Sequence, residues 1–275
     1  MKRLALFAIL LAFVAGPSGA QQAPSPQAET PAATSAPEAT TPSLTPRQKA
    51  ELRAEILMAR KDYAEAAKAY EDLLQDDPKN FAMLNKVGIA YQQLGDVHRA
   101  ERSYKKALHA NGNFVSAINN LGALEYSREH YGKAIKYYKR ALAVRSGDEA
   151  VIYSNLGFAY YANKEYPAAL DAFGKALTID ADIFARKGGA GAIIQQRTAS
   201  DPGTLFYLVA KSYARAGDAE RAAHFLKMAR DDGYRDFLAA KKDPDFSKVI
   251  KDPRVQEVFQ IQPAYAGDEK KSNPN

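Results

Sequence analysis

The sequence predicts an all-α fold: a right-handed solenoid of about five stacked helix pairs, closed by short C-terminal helices. Three observations carry this. Small residues recur at Ala66, Ala100, Ala134, Ala169 and Ala222, in steps of 34, 34, 35 and 53. Four residues after each stands Tyr70, Tyr104, Tyr138, Phe173 or Leu226, and twelve before each stands Ala54, Gly88, Gly122, Gly157 or Ala210. Apolar residues between the columns keep helical spacing. Columns held in one register mark an internal repeat, whose units bury their apolar faces only by stacking.

The elements follow in order. Lys2 and Arg3 precede an apolar run from Leu4 to Ala15, and Ser18-Gly19-Ala20 offers small residues for cleavage. The run is shorter than the roughly 20 residues a membrane span requires. Residues 1–20 therefore read as a signal peptide. The mature protein is expected to be secreted across the inner membrane into the periplasm, with no stable membrane insertion. Residues 21–46 are almost wholly Pro, Ala, Ser, Thr, Gln and Glu, with too little apolar surface to offset the entropy of ordering; they read as a disordered linker.

Five copies follow at 47–80, 81–114, 115–148, 150–183 and 203–236. In the second, Leu84, Val87, Gly88 and Tyr91 share one helix face, Gly95 closes that helix and Asp96 caps the next. Asp62 and Asp218 stand in the same cap column. The long last step leaves an insertion at 184–202, read around RKGGAGAIIQQRTASDPG. Its glycines disfavour a continuous helix, and Ile193-Ile194 suits a short extended piece. We expect it to fold against copies four and five, narrowing the groove or contacting a partner. Asp243-Pro244 and Asp252-Pro253 start capping helices within 237–261, and 262–275 reads as a flexible tail.

This pattern resembles the tetratricopeptide repeat, through its period, the Leu121-Gly122 and Leu156-Gly157 pairs, and Tyr91, Tyr160 and Tyr213 after the glycine column. Copy three departs from it with Glu125 in place of the tyrosine, and copy one lacks the Leu-Gly pair. The segment after copy five is similar to the Asp-Pro-rich stretch that often trails such arrays. The resemblance implies a concave groove lined by first helices that holds a protein or extended peptide. The residues it assigns there are Asn85, Lys86, Ile89, Gln92, Gln93, Asn119, Asn120, Tyr126, Ser154, Asn155, Phe158, Tyr161, Tyr207, Lys211 and Arg215. Asn120 and Asn155 precede the Leu-Gly pairs, where an amide can both donate to and accept from a peptide backbone.

Little in the sequence points to chemistry. The absence of cysteine excludes disulfides, thiolate metal sites and a cysteine lipid anchor. His98, His109, His130 and His224 lack metal-ligand spacing, so neither a metal nor another cofactor is expected. The insertion's Lys187-Gly188-Gly189-Ala190-Gly191 has its lysine before the glycines and no hydroxyl after them, unlike a phosphate loop. We therefore expect no enzyme. The expected protein is a peptide-binding scaffold, the alternative a self-associating structural protein, and a nucleotide-binding insertion a more distant third. Lys and Arg exceed Asp and Glu by 38 to 32, a mild excess that does not call for nucleic acid. The cations gather on second helices, at Arg99, Arg102, Lys105 and Lys106, then Lys133, Lys136, Lys139 and Arg140. A solvated face is the plain reading of that cluster.

Overall fold

A computed structural model describes residues 44–144, 149–185 and 201–260. Among the described residues the chain is helical, with no strand. The repeats supply α1 (Pro46–Ala59) and α2 (Tyr63–Leu73), α3 (Phe81–Gln93) and α4 (Val97–Ala110), and α5 (Val115–Ser127) and α6 (Tyr131–Val144). They continue with α7 (Glu149–Ala162) and α8 (Tyr166–Ile179), then α9 (Pro202–Ala216) and α10 (Ala219–Asp231). α11 (Phe237–Ala240), a 3-10 turn (Pro244–Phe246) and α12 (Pro253–Gln260) complete the chain. From α1 to α10 each helix packs against the next, and α12 packs on α10, which makes the described residues a solenoid.

The sequence columns turn out to be the packing contacts. Every residue of the Ala66 column is fully buried. A Cβ on Gly88 would sit 2.4 Å from the Tyr104 ring, one on Gly122 2.7 Å from Tyr138, and one on Gly157 2.4 Å from Phe173. First and second helices therefore approach until backbone meets ring. In copy five the glycine column carries Ala210 and the aromatic column carries the smaller Leu226, both fully buried.

The turn inside each pair shows a further column. Lys61, Gly95, Glu129, Lys164 and Gly217 all have positive φ, from 62° to 85°, and share the repeat's register. The cap column is mixed. Asp96 accepts from the Arg99 amide and Asp218 from the Arg221 amide, whereas Asp62 makes no such bond. Thr45 and Gln48 close a reciprocal capping box at the start of α1.

Phe184, expected to open the insertion, instead enters the core. Its ring lies edge-on to Phe158, Phe173 and Tyr213, so one side chain fills the seam between copies four and five. At the other end Asp201 caps α9, and α8 packs directly on α9. The glycine-rich stretch and Ile193-Ile194 lie outside the described residues, as do the signal, the linker to residue 43 and the tail. Beyond α10, Phe246, Val249, Val255 and Val258 join the same apolar cluster as copies three to five. Asp243 accepts from the Asp245 amide and Asp252 from the Arg254 amide, so both Asp-Pro steps initiate turns.

Candidate peptide-binding groove

The row of first helices is the tighter side of the stack. α3 touches α5 and α5 touches α7, while among the described residues no pair of second helices makes comparable contact. Spacing that is closer on one side curves the array and makes that side the inner one. It is also the side where the sequence places its binding residues.

The structure assigns most of them a different task. Asn120 Nδ2 donates to Asn85 Oδ1 over 3.0 Å, and Asn155 Nδ2 donates to Asn119 Oδ1 over 3.0 Å. Asn85, Asn120 and Asn155 are buried. The amides do form a ladder, but its rungs join α3 to α5 and α5 to α7 and do not await a ligand. Lys86 Nζ bonds Glu55 Oε1 at 2.7 Å, a rung between α3 and α1. Tyr161 donates to the Asp201 carbonyl, which ties α7 to the cap of α9. Each first-helix junction thus carries a polar contact; the asparagine amides of α3, α5 and α7 are buried or half-buried, while Lys86 and Glu55 remain partly exposed.

Phe158 is buried, 2% exposed, against Phe173 and Phe184. Gln92 Oε1 accepts from the Tyr104 hydroxyl at 2.6 Å, and its Nε2 is buried with no hydrogen-bond partner among the described residues. The buried Ser154 hydroxyl is also without a partner there. Tyr126 is half-buried beside Tyr131, and burial pushes its hydroxyl up to about 12, with Tyr131 adding to the shift.

At the α9 end the expected groove is occupied. Tyr207 donates to Asp243 Oδ2 at 2.5 Å, Lys211 reaches Asp243 and Asp245 at 2.8 Å each, and Arg215 grips Asp245 with two bonds. Tyr207 also stacks on Tyr234, with ring centroids 4.1 Å apart. Burial works to raise the Asp243 and Asp245 carboxyls, but Lys211, Tyr207 and Arg215 outweigh it and hold both below the usual range. Tyr207, Lys211 and Arg215 therefore face the C-terminal segment. No motif in the sequence signalled this, since the acids lie 30 and more residues away.

What stays accessible on the inner row is a strip of half-buried Ile89, Gln93, Ser116, Tyr126, Ser127 and Val151, running over α3, α5 and α7. Among the described residues no group of three His, Cys, Asp or Glu has the arrangement of a metal site, and no helix is long and apolar enough to cross a membrane.

Residues 57–124 and 114–182 each match the tetratricopeptide repeat family. Tetratricopeptide repeats occupy residues 57–182. Among curated proteins the chain is similar to neutrophil cytosol factor 2 of Bos taurus, 30% identical over 101 residues, which cover 37% of this chain and 19% of that one. It is also similar to BBSome complex member BBS4 of Bos taurus, 23% identical over 121 residues, 44% of this chain and 23% of that one. The chain thus spans about a fifth of the length of these relatives. Among solved structures, pilF of Pseudomonas aeruginosa aligns with a TM-score of 0.52 at 16% identity, covering 78% of this chain and 96% of that one. MamA of Desulfovibrio magneticus RS-1 aligns at 0.48 and 19% identity, over 68% of this chain and 95% of that one. The pilF likeness is one of fold: the tetratricopeptide solenoid.

Proposed function

We propose that the protein is a non-enzymatic scaffold of the cell envelope that holds a protein or extended peptide along the inner row of first helices. The carrying observation is the strip from Ile89 to Val151, half-exposed, part polar and part aromatic, on a row already rigid through its own rungs. Rigidity matters because a surface that need not order itself keeps more of its contact energy as affinity. The ladder asparagines serve this reading indirectly, by fixing the helices that present the strip. Secretion to the periplasm is part of the proposal and rests on the Leu4–Ala15 run behind Lys2 and Arg3.

The test is partner capture from an envelope fraction, followed by titration of the captured partner against wild type and the variant I89S/Y126A. The expected result is at least a tenfold loss of affinity with unchanged helicity. Full affinity in that variant would remove the strip from the site. A second reading, self-association, is favoured by Leu52 and Ile56, exposed at 46% and 44% on the first helix of the array. Sedimentation that gives a monomer at all concentrations would dismiss it.

A further inference from the structure

The outer side of the stack holds a charge pattern that the peptide-binding reading does not use. Arg99, Arg102, Lys105 and Lys106 of α4 and Lys133, Lys136, Lys139 and Arg140 of α6 are all exposed. They fill the same four columns, displaced by one period of 34. In copy one these columns hold Glu65, Lys68, Glu71 and Asp72, and in copy four Ala168, Asp171, Gly174 and Lys175. In copy five they hold Arg221, His224, Lys227 and Met228, so only the two adjoining repeats fill all four columns with Lys or Arg. α4 and α6 hold a single carboxylate, Glu101, and the chain's Lys and Arg exceed its acids by 38 to 32. Outside these two helices the chain is close to balanced, so its whole positive excess sits on this patch.

Intramolecular pairing does not account for it. Glu101 binds Lys105 and Arg128, Asp96 reaches Arg99, and Glu125 lies 3.8 Å from Lys133. Lys139 rests over the Tyr160 ring and Arg140 donates to the Gly112 carbonyl. Arg102, Lys106 and Lys136 have no carboxylate partner among the described residues. The last of these bonds, at 2.7 Å, ties α6 to the turn after α4, which keeps the two rows of charge side by side. The patch is thus two-dimensional: four steps along each helix, two helices wide. Its two helices present no exposed Phe, Tyr or Trp ring for stacking a nucleobase.

We infer that α4 and α6 form a docking surface for an anionic lipid bilayer. A sheet of headgroup phosphates is the partner whose charge is spread in two dimensions like this patch, with no directional bond required. Each Lys or Arg near such a surface strengthens adsorption about fivefold, within a Debye length of roughly 10 Å. The docking face lies opposite the inner row, so the strip would point away from the bilayer, and the inference stands whether or not the strip binds a peptide.

The test mixes the full chain with sedimenting vesicles of phosphatidylcholine alone or with added phosphatidylglycerol. The ratio of the two affinities cancels whatever the apolar run contributes to both. The expected result is preference for phosphatidylglycerol that weakens as salt is raised. Neutralising the patch with R102Q/K106Q/K136Q/K139Q should lower the ratio by roughly 600-fold, about fivefold for each cation removed. Neutralising four exposed cations elsewhere, in K49Q/R53Q/K227Q/K241Q, should leave it near wild type. If the fourfold patch variant lost helicity, R102Q/K106Q should still lower the ratio at least tenfold. A ratio near one in the wild type, or one that neutralising the patch does not move, overturns the inference. So does a patch that ignores vesicles but binds polyglutamate or an oligonucleotide.

Discussion

Gly122 and Gly157 show what one missing Cβ is worth to this fold. An added methyl would fall 2.7 Å from Tyr138 and 2.4 Å from Phe173, and neither ring has room to retreat because both are buried. Forcing extra volume into such a contact costs about 1–3 kcal/mol. Gly122→Ala and Gly157→Ala should each lower the unfolding free energy obtained from urea titration by that amount. Gly132 has nothing within 4 Å of its would-be Cβ and lies in α6, so Gly132→Ala should stabilise by roughly 0.5–1 kcal/mol. Equal shifts of the same sign at the three sites would show that helix propensity and not packing governs the column. The amide rungs make a separate prediction. Asn120→Ala strands the buried Asn85 amide and should cost about 1–3 kcal/mol. The double variant N85A/N120A should lose less than the sum of the two single variants; simple additivity would mean the rung carries no coupling.

At the scale of the helix pair, the left-handed turn column is the part of the repeat the sequence concealed. Gly95 and Gly217 announce it, but Lys61, Glu129 and Lys164 adopt the same conformation at φ near 60° and look like ordinary surface residues. Lys61→Gly, Glu129→Gly and Lys164→Gly relieve Cβ strain of about 1–2 kcal/mol, less the entropy glycine loses on folding. Each should therefore raise stability by roughly 0.5–1 kcal/mol in thermal unfolding, and a fall at all three would refute the strain argument. The same contrast explains what was legible. Columns of Ala, Gly and aromatics encode packing inside a pair, and side-chain size alone reports it. Contacts between pairs depend on which polar groups meet across a gap of 31 to 36 residues, as for Lys86 with Glu55 and Asn155 with Asn119. Asn120 and Asn155 were recognisable as special positions, yet an amide that bonds a neighbouring helix and one that awaits a peptide look alike in sequence. Phe184 was obscured for a related reason: it follows the last residue in register and serves a seam instead of a column.

Across the whole molecule, the C-terminal segment is fastened to the array by a small set of charges. Asp243 and Asp245 meet Lys211, Arg215 and Tyr207, and Phe246, Val249 and Val255 bury beneath them. This gives acid sensitivity a location. Both carboxyls are held below their usual range, so their contribution to stability is complete above the unfolded value of about 3.9 and is lost as pH falls through the folded values. Burial works to lower the Lys211 ammonium, but its bonds to the two acids prevail and raise it, so its share is complete below the unfolded lysine value of about 10.4 and fails only above it. Among the described residues the central repeats carry one comparable group: Glu101, held at about 2 first by Lys105 and then by Arg128, on a side chain 23% exposed, where solvent weakens what the pair contributes. Acidification below about pH 4 should therefore release residues 243–260 before the array opens. Hydrogen exchange followed down the pH scale should show the Val249 and Gln256 amides losing protection while those of Ala134 and Ala169 keep it. In the variant D243N/D245N the same amides should exchange faster at neutral pH and respond less to acid. Simultaneous loss of protection at all four positions would mean that the segment and the array unfold as one unit.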